Sequence, residues 1–120
     1  MAIAPTEPDI LSVRAAPHRC EIDLIVPTDL AYFSGHFDGF PILPGVVQLH
    51  WSLQLARRHL PLGARMPATI QVKFREPIRP GARLLLTLTQ ETAGDREQLV
   101  FDYRRDGEPC SSGRIVLADP

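Results

Sequence analysis

With 120 residues and a formal net charge of -1, the chain has room for one domain and one hydrophobic core, and it offers no electrostatic case for binding nucleic acid. No run of about 18 apolar residues is present to span a bilayer. The N-terminus, MAIAPTEPDILSV, is acidic and broken by proline where an export signal is basic and then continuously apolar, so a soluble cytoplasmic protein is expected, with no membrane association and with Cys20 and Cys110 as free thiols.

In chain order, residues 20–26 (CEIDLIV) suit a first strand, which Pro27, Thr28 and Asp29 end and which leads into a short turn through Phe33. A Gly/Pro-rich loop over residues 35–44 carries His36. From Gly45 onward Val46, Leu49, Leu53, Ala56 and Leu60 recur at helical spacing, and Val47, Trp51 and Leu55 widen the apolar face, so a helix buried almost all round is expected. Pro61 and Gly63 stop it.

Residues 68–74, 82–90, 98–104 and 114–117 all suit strands, joined by turn chemistry at 77–81, 93–95 and Asp106-Gly107. Leu99, Phe101 and Tyr103 alternate with Gln98, Val100 and Asp102, which requires a sheet with one covered face. One helix must cover it. The expected architecture is α+β, an antiparallel sheet wrapped around one long central helix, as a single domain over residues 1–120 without repeats or low-complexity tracts.

Charge is unevenly placed. Residues 57–83 carry seven basic side chains (Arg57, Arg58, Arg65, Lys73, Arg75, Arg79, Arg83) against Glu76 alone, while both flanks are acidic. Such a zone can steer an acidic partner or an anionic cofactor arm, or be an ordinary solvated face.

Two segments, GHFDGFPILPGVVQLHWSLQLA (residues 35–56) and VKFREPIRPGARL (residues 72–84), resemble the hot-dog-fold 3-hydroxyacyl-[acyl-carrier-protein] dehydratases, including the short dehydratase-like proteins of polyketide and aryl polyene pathways. The resemblance implies a lyase that dehydrates a 3-hydroxyacyl thioester to the trans-2-enoyl thioester, with the acyl group on the phosphopantetheine of acyl carrier protein or coenzyme A and no other cofactor. It places the catalytic histidine at His36 and the acid partner at position 50, where this chain has His50. It also implies substrate binding by Gly45, through its backbone N–H, and by Val46, Gln54, Phe37 and Pro44. Carrier-protein docking is expected at Arg57, Arg58 and Arg79. The family's site is shared across a dimer, so a homodimer or a heterodimer with a related hot-dog subunit is expected.

The chemistry of the residues agrees where they are present. Removing the proton alpha to a thioester carbonyl needs a base at the alpha carbon and a donor for enolate charge. His36 is a suitable base, since an ordinary imidazole, with a pKa of ~6.5, is largely neutral at cytoplasmic pH. Gly45 offers a helix-start N–H at the positive end of the dipole with no side chain to obstruct a carbonyl. The departing hydroxide needs a proton, and His50 sits in the first turns of a helix, where the dipole opposes an imidazolium. Dehydratase activity from this chain alone is therefore expected to be weak. Asp38, two residues beyond His36, is one stand-in, and a related subunit that keeps an acid is another.

Two other functional classes are compatible with this fold. A noncatalytic acyl-carrier-binding or dimer-partner subunit would retain the fold and tunnel, whereas a hot-dog thioesterase needs a carboxylate over the carbonyl that the helix does not supply. Each residue also has a structural reading: His50 as a satisfied core or interface histidine, Gly45 as a tight-turn glycine, Trp51 and Leu55 as packing. His18, Cys20 and His59 lack metal-ligand spacing, so no metal is expected.

Overall fold

A computed structural model describes residues 4–33 and 39–119. Six strands and one α-helix occur in the order β1 (Asp9–Ala16), β2 (Arg19–Ile25), α1 (Gly45–His59), β3 (Pro67–Phe74), β4 (Arg83–Ala93), β5 (Arg96–Arg105) and β6 (Glu108–Leu117), with a 3-10 turn at Ala31–Phe33 before the helix. All strand pairs are antiparallel in one sheet ordered β1-β2-β4-β5-β6-β3. The α+β arrangement of one helix on one antiparallel sheet is as expected from the sequence.

Period-2 alternation decides which face of the sheet meets the helix. Cys20, Ile22 and Leu24 of β2, Leu84, Leu86 and Leu88 of β4, and Leu99, Phe101 and Tyr103 of β5 are all buried. Register aligns them in rows, with Leu86 opposite both Ile22 and Tyr103, and Leu88 opposite both Cys20 and Phe101. Onto these rows α1 lowers Val47, Trp51 and Leu55, which recur at four-residue spacing, with Ala56 next to Leu55. Each large side chain buried there contributes roughly 1.5–3 kcal/mol relative to exposure.

The expected all-round burial of the helix is not found in this chain. Val46 is 73% exposed, His50, Arg57 and Arg58 are exposed, and Leu49, Leu53 and Gln54 are half-buried. One sheet covers only one side of a helix, so apolar residues beyond that arc remain outside it.

Strand β1 had no counterpart in the sequence reading. It lies at an edge with all eight residues exposed, so no alternation marked it, and its backbone pairing to β2 defines it. Strand β6 begins earlier than expected, at Glu108, immediately after the Asp106-Gly107 turn. Its Gly113 is opposite Phe101, and a Cβ there would run into the Gln71 carbonyl and the Phe101 ring. This close approach lets β3 pair with β6 over a packed aromatic core.

Strand β3 forms the other edge of the sheet. It exposes Ile70, Val72 and Phe74 along with the neighbouring Met66, so one row of backbone donors and acceptors and a strip of apolar side chains are left open in the single chain. Ahead of β1, the N-terminal segment lies over the helix: the Trp51 indole N–H donates to the Thr6 carbonyl (3.0 Å) and the Ala31 N–H to the Pro5 carbonyl (2.8 Å).

Cys20 and Cys110 are both free and buried, and burial pushes both thiols above the ordinary range. Native protein should therefore react slowly with a thiol-specific disulfide reagent at neutral pH, and both thiols should titrate at once in denaturant. Rapid native labelling would show that the core opens. No helix among the described residues is long and apolar enough to cross a membrane.

Candidate functional site

The helix begins where residues 41–44 end. The Leu43 N–H donates to the Ile78 carbonyl (2.7 Å), which ties the approach to α1 to the turn following β3. Pro44, with φ -60 and ψ 144, holds the N-cap position, and its carbonyl accepts from the N–H groups of Val47 (3.1 Å) and Gln48 (3.2 Å). No side chain caps this helix, its first turn carries no acid, and no acceptor among the described residues takes the N–H of Gly45 or Val46.

Those uncapped donors border a cavity of about 500 Å³ lined by Ile42, Pro44, Gly45, Gln48, Phe74 and Pro77 among others. The exposed Arg75 and Glu76 also line it. Gly45 is required by close approach, because a Cβ there would collide with the Phe74 ring. An apolar slot with a helix-start amide on its wall suits an acyl thioester whose carbonyl becomes more negative during reaction.

Of the residues expected in the site, Gly45 and Pro44 meet at this cavity. His36 and Phe37, together with Asp38, lie outside the described residues. His50 is elsewhere on the helix: five residues on from Gly45, it is rotated by about 140°. It borders a separate shallow depression with Leu53, Gln54, Arg57 and Arg58. Val46 faces outward on the same side. Gln54 donates to the Glu7 carboxylate (3.0 Å), so the N-terminal segment rather than the cavity occupies its amide. Within one chain, then, the helix divides its expected site residues between two faces.

The three arginines expected to dock a carrier protein fall at opposite ends of α1. Arg58 pairs with Glu7 (3.1 Å), and Arg57 donates to the Arg65 carbonyl (2.8 Å). The half-exposed Arg58 pair adds little stability but reduces the free positive charge at that end. Arg79 instead stacks on the Phe40 ring, 3.7 Å from its centroid, beside the segment that enters the helix. Along the axis, Gly45 and Arg57 are separated by about 18 Å.

Gln48 is the site residue that the sequence reading missed. It is 4% exposed and belongs to a buried polar network: its side-chain oxygen accepts from the Ser111 hydroxyl (2.6 Å), and its side-chain nitrogen donates to the Leu43 carbonyl (3.2 Å). Its backbone carbonyl accepts from the Tyr103 hydroxyl (2.8 Å), with Ser52 Oγ also 2.8 Å away. Burial pushes the Tyr103 hydroxyl far above its ordinary range, so it acts as a neutral donor. The available signal was a polar residue within the apolar run VVQLHW, one turn from Gly45. Among the described residues no three His, Cys, Asp or Glu side chains come together to hold a metal ion.

Residues 12–114 match a family described as ApeI-like, ApeI dehydratase. Two curated relatives are each a 3-hydroxyacyl-[acyl-carrier-protein] dehydratase FabZ. The protein from Desulfotalea psychrophila is 33% identical over 79 residues, covering 58% of this chain and 51% of the relative. That from Polynucleobacter necessarius is 30% identical over 96 residues, covering 72% and 64%. The chain thus spans between half and two thirds of these relatives. Among solved structures, the dehydratase heterocomplex ApeI:P from Xenorhabdus doucetiae superposes with a TM-score of 0.80 at 30% identity, over 94% of this chain and 99% of that one. The fold is the hot-dog fold.

Proposed function

The chain belongs to the ApeI-like dehydratase family, and on that footing we propose that it serves the dehydration of 3-hydroxyacyl thioesters to trans-2-enoyl thioesters, in fatty acid or polyketide-type synthesis. One observation carries this reading: the uncapped N–H of Gly45 opens onto an apolar cavity, at the position the family uses to bind the thioester carbonyl. In this scheme His36 removes the proton from the alpha carbon, the Gly45 amide takes up enolate charge, and the acyl chain lies along the cavity while phosphopantetheine holds its thioester end. The carrier is an acyl carrier protein or coenzyme A.

The helix face bearing His50 gives the reading its second part. Val46, His50, Leu53 and Gln54 lie off the chain's own cavity and carry no carboxylate, and β3 is an open edge of the sheet. Pairing through these surfaces would bring the His50 face to the histidine loop of another subunit. A second copy supplies only another His50. A related hot-dog subunit with Asp or Glu there would supply the proton for the departing hydroxide, and the similar chain from Xenorhabdus doucetiae is part of a dehydratase heterocomplex.

The test is hydration of an enoyl-pantetheine thioester, followed by loss of enoyl absorbance, for the chain alone and mixed with each related hot-dog subunit of its source. Expected are weak activity alone and a rise of about 10²-fold or more with the correct partner. In the chain alone, His50→Glu should raise the rate where the acid is limiting. Inactivity in every mixture, with binding of acyl carrier protein retained, would favour a noncatalytic partner subunit.

A further inference from the structure

The geometry points to Gln48 as the residue that binds the hydroxyl on C3 of the acyl chain, selecting 3-hydroxyacyl over unsubstituted acyl groups. This inference rests on the dehydratase reading above and adds a specificity element to it. The cavity wall around Gly45 is made largely of Ile42, Leu43, Pro44, Phe74 and Pro77, none of which has a polar side chain. Arg75 and Glu76 also line it, but both are exposed and remain solvated. Among the described residues, Gln48 alone brings a buried polar side chain to this lining.

The orientation of its carboxamide follows from its neighbours. The Leu43 carbonyl only accepts, so the atom 3.2 Å from it must be the NH2 group, and the oxygen is then the atom that takes the Ser111 hydroxyl proton at 2.6 Å. After these two bonds the amide keeps one N–H and one oxygen lone pair. A ligand group that both donates and accepts uses both. A hydroxyl does so, whereas the thioester carbonyl only accepts and a methylene does neither.

Position on the helix supports the same assignment. Gln48 lies three residues after Gly45, which on an α-helix places the two groups on neighbouring positions of one face. In a 3-hydroxyacyl thioester the carbonyl carbon and the hydroxyl-bearing carbon are separated by one methylene, a span suited to two adjacent donors on that face. Water released from C3 would leave from beside Gln48, and the enoyl product, lacking the hydroxyl, would lose that contact.

The experiment measures binding by titration calorimetry on the assembly active in the dehydratase assay, with His36→Ala throughout so that the hydroxylated ligand is not turned over, or on the chain alone if none is active. The probes are the pantetheine thioesters of 3-hydroxyhexanoate and hexanoate. Wild type should prefer the hydroxylated ligand roughly tenfold, the contribution of about one hydrogen bond to a fixed buried group. Gln48→Leu should erase that preference while leaving hexanoyl binding in place. Because Gln48 is buried in a network, Gln48→Leu is paired with Ser111→Ala, which frees the carboxamide to rotate without touching the cavity and should weaken the preference.

Equal affinities of wild type for the two ligands, or an undiminished preference in whichever folded variants are obtained, would overturn the role of Gln48 while leaving dehydration itself standing. Absence of binding to either ligand by wild type would overturn the cavity assignment together with it.

Discussion

Replacing His36 by alanine is expected to lower dehydration by about 10²- to 10⁴-fold in the active assembly, the range that a positioned general base contributes. The alpha proton of a thioester is weakly acidic, and among the described residues the cavity lining offers few bases: Ile42, Leu43, Pro44, Phe74 and Pro77 are apolar, Gln48 is a neutral amide, and the Arg75 guanidinium has donors but no acceptor. Glu76 is the remaining candidate, so the Glu76→Gln variant belongs in the same series and is expected to change the rate little. In sequence, position 36 lies between the 3-10 turn and α1, and among the described residues the core is built from α1 and the sheet. Its loss should therefore leave the unfolding midpoint where it is. Steady-state rates and a thermal melt decide the matter together: a folded His36→Ala protein at the full rate would remove this residue as the base.

Changing Gly45 to alanine should cost at least tenfold in kcat/KM with little change in stability. The two effects separate because they arise in different places. Alanine favours a helix over glycine by about 1 kcal/mol, which helps the fold. Its Cβ, however, collides with the ring of Phe74, a half-exposed side chain at the end of an edge strand that can swing aside. The moved ring and the new methyl group then occupy the cavity mouth, where a substrate carbonyl must reach the amide. Losing one oxyanion donor costs about 10²–10³ in kcat, and partial obstruction falls below that.

A double variant locates the obstruction. If Gly45→Ala combined with Phe74→Ala works at the rate of Phe74→Ala alone, the displaced ring was the obstacle. A rate that stays low assigns it to the Cβ at the amide. Unimpaired turnover by Gly45→Ala would mean that the amide does not contact the reacting group.

Much of the fold was legible because its signals are local. The apolar spacing from Val46 to Leu60 and the Pro61/Gly63 stop anticipated the helix Gly45–His59, and the alternation of Leu99, Phe101 and Tyr103 identified the inner face of β5. Strand β1 escaped because an exposed edge strand needs only backbone partners, so its side chains carry no pattern. The helix was read as more buried than it is because apolar periodicity records what a side chain prefers to touch, and Val46, Leu49 and Leu53 leave open whether that neighbour is the chain's own sheet or another subunit.

For the site, the order of residues pointed to the chemistry expected: a histidine at position 36, a helix-start glycine, and a histidine where the resemblance implies an acid. Sequence order alone does not say which groups share a space. That depends on helix phase, which turns His50 about 140° away from Gly45, and on sheet order, which brings Phe74 of β3 over Gly45 and Ser111 of β6 beneath Gln48. Residues 63 positions apart become hydrogen-bonded neighbours through strand pairing. Contacts of that separation leave no periodic trace in the chain, because they form between elements and are set by how the whole sheet closes on its helix.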